Sequence, residues 1–328
     1  MKVCFLSLDP SEASARTRAE ALFPALREAG IQPELRRWPK SAEGLSDLGE
    51  FEVVVLLRIL VPRWALVPLR RAARSLILDV DDAVWRRPAS GRQPLRLRRR
   101  LLRTLPITDL VTCGSAYLRE ALRTRHPRLR LLPPAVALPL QLPAREEEPL
   151  EVLWTGSRAT LPYLEARAEA LASGLGSEAT LVVLADRAPE LPGVRARYEP
   201  WSPEVEAQAL GRAQIGLYPL PRDPWSEGKC AFKVRLYMAH GIASLAVPWG
   251  GGGEALAEGG GLLFEDDAGL ESQLRRLCGD PALRARLGRE GRASAAAQGS
   301  LEVRAASLIR ILRESAAIGA RRDGPRST

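Results

Sequence analysis

Glu151-Val152-Leu153-Trp154-Thr155-Gly156-Ser157-Arg158-Ala159-Thr160 reads as an apolar strand, a turn of small residues and the start of a helix. That is one βα unit of a parallel sheet, where a strand covered on both faces is apolar throughout. The alternation continues in both directions. Upstream, strands are expected at Lys2 to Leu8, Val53 to Leu57, Ser75 to Asp79 and Leu110 to Cys113, with helices near Arg16 to Glu28, Trp64 to Arg74 and Ser115 to Arg123. Downstream, strands follow at Thr180 to Leu184, Ile215 to Tyr218, Ala243 to Val247 and Leu262 to Phe264. The pattern predicts an α/β chain of two doubly wound Rossmann-like domains facing a cleft, with ligands at the carboxyl ends of the strands.

The stretch from Leu132 to Pro149 is rich in proline and then acidic, a composition shift that reads as a linker. It divides an amino-terminal domain, 1–140, from a carboxy-terminal domain, 150–299. Asp280-Pro281 starts a helix, with aspartate as N-cap and proline in the first turn. The helical pattern breaks once near Gly299 and resumes over about 300–318, a segment expected to join the first domain. Residues 319–328 are expected to form a disordered tail.

The chain has 328 residues, is 46% hydrophobic and 27% charged, and carries a net charge of +9, values of a soluble globular chain long enough for two cores. No apolar stretch reaches the ~20 residues of a membrane span, because Arg58 interrupts even Val53 to Val61. The opening apolar run meets Asp9 too soon for a signal peptide, so the expected location is the cytoplasm. Cys4, Cys113, Cys230 and Cys278 are far apart, which argues against a disulfide framework or a thiolate metal site. The basic run Arg96 to Arg103 alternates with leucines and fits either a solvated face or a basic amphipathic helix at the inner face of a membrane. Nucleic acid is disfavoured, since no aromatic residues interleave with the arginines.

Dinucleotide and P-loop glycine signatures and the His-Glu-x-x-His motif are absent, and His126 and His240 stand alone as structural histidines. Four lysines occur in the chain, and two fall in Trp225-Ser226-Glu227-Gly228-Lys229-Cys230-Ala231-Phe232-Lys233. A helix beginning near Cys230 would set Lys229 and Lys233 one turn apart beside free N–H groups, an anion site suited to a diphosphate; the alternative is two solvated lysines. Thr155, Gly156, Ser157 and Arg158 form a turn where a phosphate or sugar hydroxyl can meet backbone N–H groups, or an ordinary βα turn. Pro248-Trp249-Gly250-Gly251-Gly252-Gly253-Glu254 either lets a ligand lie against the backbone with Glu254 beyond it or is a flexible loop. Asp79, Asp81 and Asp82 end a strand, where Asp79 and Asp81 suit a divalent metal, the carboxylates suit an acceptor, or they cap turns. Arg16 and Arg18 follow the first strand and are candidates for an anionic partner. Trp85, Trp154, Trp225 and Trp249 fall near strand ends, suited to packing or to sugar stacking.

Asp79-Val80-Asp81-Asp82-Ala83-Val84-Trp85, Trp154-Thr155-Gly156-Ser157 with Pro162-Tyr163-Leu164, and Gly228-Lys229-Cys230-Ala231-Phe232-Lys233 leading to Tyr237-Met238-Ala239 together resemble the GT-B fold glycosyltransferases of the group-one, family-four type. The Gly251-Gly252-Gly253-Glu254 loop is similar to that family's glycine-rich loop with a glutamate, and Asp280-Pro281 with Arg284 to the start of its carboxy-terminal helices. The resemblance implies a retaining transfer of a sugar, of the hexosyltransferase class, to a cell-surface glycan or glycolipid, with no obligatory metal. The nucleotide-sugar donor would lie on Thr155, Gly156, Ser157, Arg158, Gly228, Phe232 and Gly251 to Glu254 of the second domain. Lys229 and Lys233 would stabilise the leaving diphosphate, and Arg16, Arg18, Asp81 and Asp82 would face the acceptor. Two positions depart from the family: Leu236 stands where a carboxylate is common, and Ser157-Arg158 replaces the usual basic motif after Gly156. An inactive scaffold that binds a nucleotide or a partner, and a metal-dependent transferase using Asp79 and Asp81, are the competing readings.

Overall fold

A computed structural model describes residues 1–87, 94–142 and 149–322. The first sheet is built from β1 (Lys2–Ser7), β2 (Gln32–Arg37), β3 (Val53–Leu57), β4 (Leu76–Val80), β5 (Leu110–Cys113) and β6 (Leu129–Leu131). Its strands are parallel in the order β2-β1-β3-β4-β5-β6. The connecting helices are α1 (Ala13–Arg18), α2 (Phe23–Glu28), α3 (Leu66–Ala72), α4 (Leu95–Thr104) and α5 (Ala116–Leu122). The single helix expected over Arg16 to Glu28 is two, because Ala19 leaves helical geometry and Pro24 restarts the helix in the first turn of α2.

The second sheet comprises β7 (Leu150–Thr155), β8 (Ala179–Ala185), β9 (Ala196–Pro200), β10 (Ile215–Tyr218), β11 (Ala243–Ala246) and β12 (Gly261–Leu263). It is also parallel throughout, in the order β12-β11-β10-β7-β8-β9. Around it lie α6 (Leu161–Glu165), α7 (Ala168–Leu175), α8 (Pro203–Arg212), α9 (Phe232–Ala239), α10 (Gly252–Ala255), α11 (Asp267–Gly279) and α12 (Pro281–Ser294). Asp280 caps α12 by accepting the Leu283 N–H at 2.8 Å. The strand order reverses between β1 and β3 in the first sheet and between β7 and β10 in the second, which marks the carboxyl ends of those strands as the ligand-binding edge of each.

Three strands were not expected from the sequence, β2, β6 and β9. Each lies at the edge of its sheet or is only half covered, so it needs no apolar run. The central β3 and β4 are buried at every position.

The chain divides into two units, Met1–Ala135 with Asp223–Cys230 and the chain from Leu301, and Val136–Arg222 with Ala231–Ser300. The expected second domain of 150–299 thus yields Asp223–Cys230 to the first unit. Val136 and Ser300 pair in a short parallel bridge where the chain enters and leaves the second unit. The final helix, α13 (Leu301–Arg322), lays Ala305, Leu308, Ile311 and Leu312 on the first unit's core beside Phe5, Val55 and Ile77. It runs through Arg322, so the tail expected to be disordered from 319 is helical to that point. Gly319 there lies against the Arg74 carbonyl, and Arg322 donates to the carbonyls of Ala73 and Arg74. Most of the acidic half of the expected linker, and the last six residues of the tail, lie outside the described residues.

Candidate functional site

In the first unit the three aspartates after β4 have separate roles. Asp79 is buried and accepts two hydrogen bonds from Arg18, one of them from Nε at 2.9 Å, and a third from the Thr112 hydroxyl. Arg18 spends its remaining reach on the Leu132 carbonyl at 2.7 Å. Arg18 is consumed as the internal counter-ion of Asp79, which corrects its expected place on the acceptor side, and both Asp79 oxygens accept hydrogen bonds from within the fold. Among the described residues no group of three or more His, Cys, Asp or Glu side chains has the geometry to hold a metal ion. Arg16 is exposed, with its guanidinium on the Ser11 carbonyl at 2.5 Å.

Asp81 and Asp82 lie beyond the strand end and share Arg58, whose Nε is 3.2 Å from Asp81 Oδ1 and whose second amine is 3.5 Å from Asp82. The Asp81 contact lacks the alignment of a hydrogen bond, so Oδ1 is a buried acceptor with no donor of its own. Burial, with Asp82 next to it, pushes the Asp81 carboxyl up to about 6 although Arg58 and Arg18 oppose the shift. Arg58 follows β3 in a left-handed conformation (φ 58°), rare for a residue with a side chain, at the edge where the strand order reverses. Its break in the apolar run was the sequence signal for this residue.

Asp223–Cys230 forms a turn closed by Asp223 Oδ1, which accepts the N–H groups of Trp225 at 2.9 Å and Ser226 at 2.8 Å. The turn packs on the residues after β4: Ala83 N–H donates to the Gly228 carbonyl at 3.1 Å, and Cys230 donates to the Asp81 carbonyl. A Cβ at Gly228 would come within 2.2 Å of the Ala83 Cβ, so glycine is required here by packing within the unit. Lys229 Nζ sits 3.9 Å from the Trp225 ring centroid and 3.8 Å from Asp82.

The second unit gathers its polar groups at the end of β7. Glu206, on α8, accepts from the Thr155 hydroxyl at 2.8 Å, Lys233 Nζ at 2.7 Å and Trp201 Nε1 at 3.2 Å. Burial works to raise the Glu206 carboxyl, but Lys233 and the donors from Thr155 and Trp201 outweigh it and hold the group below the usual carboxylate range. The Thr155 N–H donates to the buried Tyr237 hydroxyl at 3.3 Å, and the Tyr237 ring lies flat against Gly216 of β10, where a Cβ would meet it at 2.3 Å. An ammonium has three donors, so Lys233 keeps two beyond its bond to Glu206.

Helix α9 begins at Phe232, two residues beyond Cys230. Ala231 precedes it in a left-handed conformation (φ 49°) and no side chain caps it, so the N–H groups of its first turn have no partner from a cap. Lys233 is therefore in the first turn while Lys229 lies outside the helix. Each lysine has its own carboxylate, and the single helical face expected to carry both does not form. Leu236, where the resembled family has a carboxylate, packs with Val205 against an apolar cluster containing Leu153, Val182 and Leu210.

Gly156 lies against the Trp154 ring, at 2.5 Å from a Cβ placed there, and Ser157 and Arg158 are exposed, with Arg158 Nε 3.6 Å from Asp186. Gly251 takes a positive φ of 76°, and a Cβ on Gly252 would fall 2.1 Å from the Val247 carbonyl, so the glycine run is explained by the chain's fold onto its own strand end. Glu254 lies in α10. His126 donates from Nε2 to the Thr108 carbonyl and accepts from Arg128 N–H, a structural role. Trp154 is buried in the core, whereas Trp225 and Trp249 are half-buried. Glu206 and Trp201 were not expected from the sequence, because on an amphipathic helix and its preceding loop they carry no motif.

No family model matches the sequence, and no curated protein matches it. Solved structures do. HepE of Anabaena in complex with UDP-glucose aligns over 96% of this chain and 100% of its own, with TM-score 0.74 and 14% identity. Sucrose-phosphate synthase of Thermosynechococcus elongatus aligns over 96% and 98%, with TM-score 0.70 and 16% identity. A glycosyltransferase of Rickettsia africae aligns over 95% and 98%, with TM-score 0.70 and 11% identity. With its two parallel six-stranded sheets, the chain has the GT-B fold.

Proposed function

We propose that this chain of GT-B fold is a retaining glycosyltransferase that moves a hexosyl group from a nucleotide-sugar donor to a glycan or glycolipid acceptor. The observation that carries the reading is the end of β7, where Glu206 orients Lys233 beside the uncapped first turn of α9. A helix N-terminus with a positioned ammonium suits a diphosphate. As the bond from the anomeric carbon to the diphosphate oxygen breaks, charge grows on the departing nucleoside diphosphate, and donors already in place stabilise it without reorganising. The acceptor hydroxyl forms the new bond and its proton leaves with the diphosphate oxygen. Thr155 to Arg158, Phe232 and the Gly251 to Glu254 loop complete the donor side. Asp81 and Asp82, held by Arg58 beyond the end of β4, serve the acceptor. HepE and an α-glucosyltransferase, both solved with UDP, are consistent with such a donor.

The test is the thermal shift of the purified chain with UDP, GDP, ADP, CDP and dTDP, repeated on Lys233→Ala, followed by NMR of the anomeric configuration of the product. A shift with one nucleotide that Lys233→Ala abolishes, and a product that keeps the donor's configuration, are expected. No shift with any of them would overturn the reading. Nucleotide binding without turnover would favour the inactive scaffold, the reading that Leu236 supports by filling with apolar contact the place of a common carboxylate.

A further inference from the structure

Two tryptophans outside the motifs of the chain meet at the carboxyl edge of the first sheet. Trp38 follows β2 directly, and its N–H donates to the Ser7 carbonyl at the end of β1 at 2.7 Å. Trp64 sits in the turn Arg63–Ala65 that leads from β3 into α3. Their rings lie 6.2 Å apart and are tilted by 53°, within the range over which one aromatic ring steadies another. Trp38 is half-buried and packs on the core of the first unit, so it is the support. Trp64 is 43% exposed, although burial of an indole is strongly favourable. A ring held in place and left uncovered is a preformed stacking surface. Polar groups stand at the same strand ends. Asp9 Oδ1 accepts from Arg37, the residue before Trp38, at 3.0 Å, and from the N–H and hydroxyl of Ser11 at 3.2 and 3.0 Å. The bonds from Ser11 hold the Asp9 carboxyl below the usual carboxylate range, and all three bonds fall on Oδ1, which leaves Oδ2 for an outside donor.

We infer that Trp64, steadied by Trp38, stacks a sugar ring of the acceptor remote from the ring that receives the transferred hexose, so that the acceptor is an oligosaccharide and not a single sugar. The axial C–H groups of a pyranose lie on the negative face of an indole, and its hydroxyls bond to a carboxylate and a guanidinium such as Asp9 and Arg37. A protein partner would need about 800 Å² of surface on this side, whereas the exposed large apolar side chains at these strand ends are Leu8, Trp64 and Val67, among the exposed Arg37, Lys40 and Arg63. The inference rests on the proposed sugar transfer, in which Asp81 and Asp82 beyond β4 serve the reacting end. In the order β2-β1-β3-β4, β1 and β2 are two and three strands away from β4, and with strands about 4.8 Å apart one pyranose does not reach both places.

The experiment is binding of the full chain, without donor, to an array running from single sugars to hexasaccharides of α- and β-linked glucose, N-acetylglucosamine and uronic acids, followed by calorimetric titration with the tightest binder. Affinity that rises from the single sugar to the trisaccharide is expected. Trp64→Ala should weaken the tightest binder about tenfold at an unchanged melting temperature, and Trp64→Phe, which keeps a ring face, should retain most of the affinity. The thermal shift by nucleoside diphosphates is read separately on the same proteins. Its failure, with oligosaccharide binding still lost in Trp64→Ala, would remove the sugar-transfer reading and leave the stacking surface in place. Affinity unaltered in Trp64→Ala, no binding to any of these oligosaccharides, equal affinity for the single sugar and the longer chains, or a dimer in sedimentation equilibrium that Trp64→Ala dissolves would each overturn the inference.

Discussion

Replacing Arg18 by methionine tests whether this residue is a structural counter-ion or a ligand contact. The Arg18 and Asp79 side chains are only 3% and 4% exposed. The substitution removes two hydrogen bonds to Asp79 and one to the Leu132 carbonyl. Asp79 then remains charged in the core with only the Thr112 hydroxyl as a donor. Breaking a buried pair from one side costs about 3–5 kcal/mol, and in a unit of this size each kcal/mol lowers the melting temperature by roughly 2–4 °C. The loss is therefore roughly 6–20 °C in the first unit's transition, read by calorimetry and by a lower urea midpoint at unchanged slope. Removing both charges in Arg18→Met with Asp79→Leu should recover most of it, because no uncompensated ion is then left. A loss under about 1 kcal/mol, or weakened ligand binding at full stability, would rule out the counter-ion role and restore Arg18 to the acceptor side.

Asp81 gives a pH dependence with a definite sign. Its folded carboxyl is raised to about 6 from 3.8, so its contribution is fully present below the unfolded value and is lost as pH rises through the folded one, about 3 kcal/mol at about 1.4 per unit. Asp81→Asn should gain on the parent between about pH 4 and pH 7 in urea titrations, and parallel curves would contradict this. Gly228→Ala places a Cβ 2.2 Å from that of Ala83 and should cost about 1–3 kcal/mol as overpacking, measured by thermal melting; an unchanged melting temperature would count against the packed turn. Lys233→Ala removes a charge-assisted bond of about 1.5–3 kcal/mol, so calorimetric titration should show nucleoside diphosphate affinity falling roughly ten- to hundredfold; an unaltered affinity would move the diphosphate away from α9.

The architecture was legible in the chain alone. Strands buried on both faces must be apolar throughout, so β1, β3, β5, β7, β8, β10 and β11 were legible nearly to the residue. The cap at Asp280 is local chemistry and was equally legible. Edge strands β2, β6 and β9 were not, since half-exposed positions accept polar residues. The concentration of lysines at 229 and 233 is plain in the chain, but folding is what brings Lys229 to Asp82 and Lys233 to Glu206. Folding likewise brings Arg18 to Asp79, a partner 61 residues away. The reason is physical: burial of apolar runs follows from local pattern, whereas the partner of a charge is whatever counter-charge the fold brings within a few ångströms, and no spacing along the chain encodes that distance.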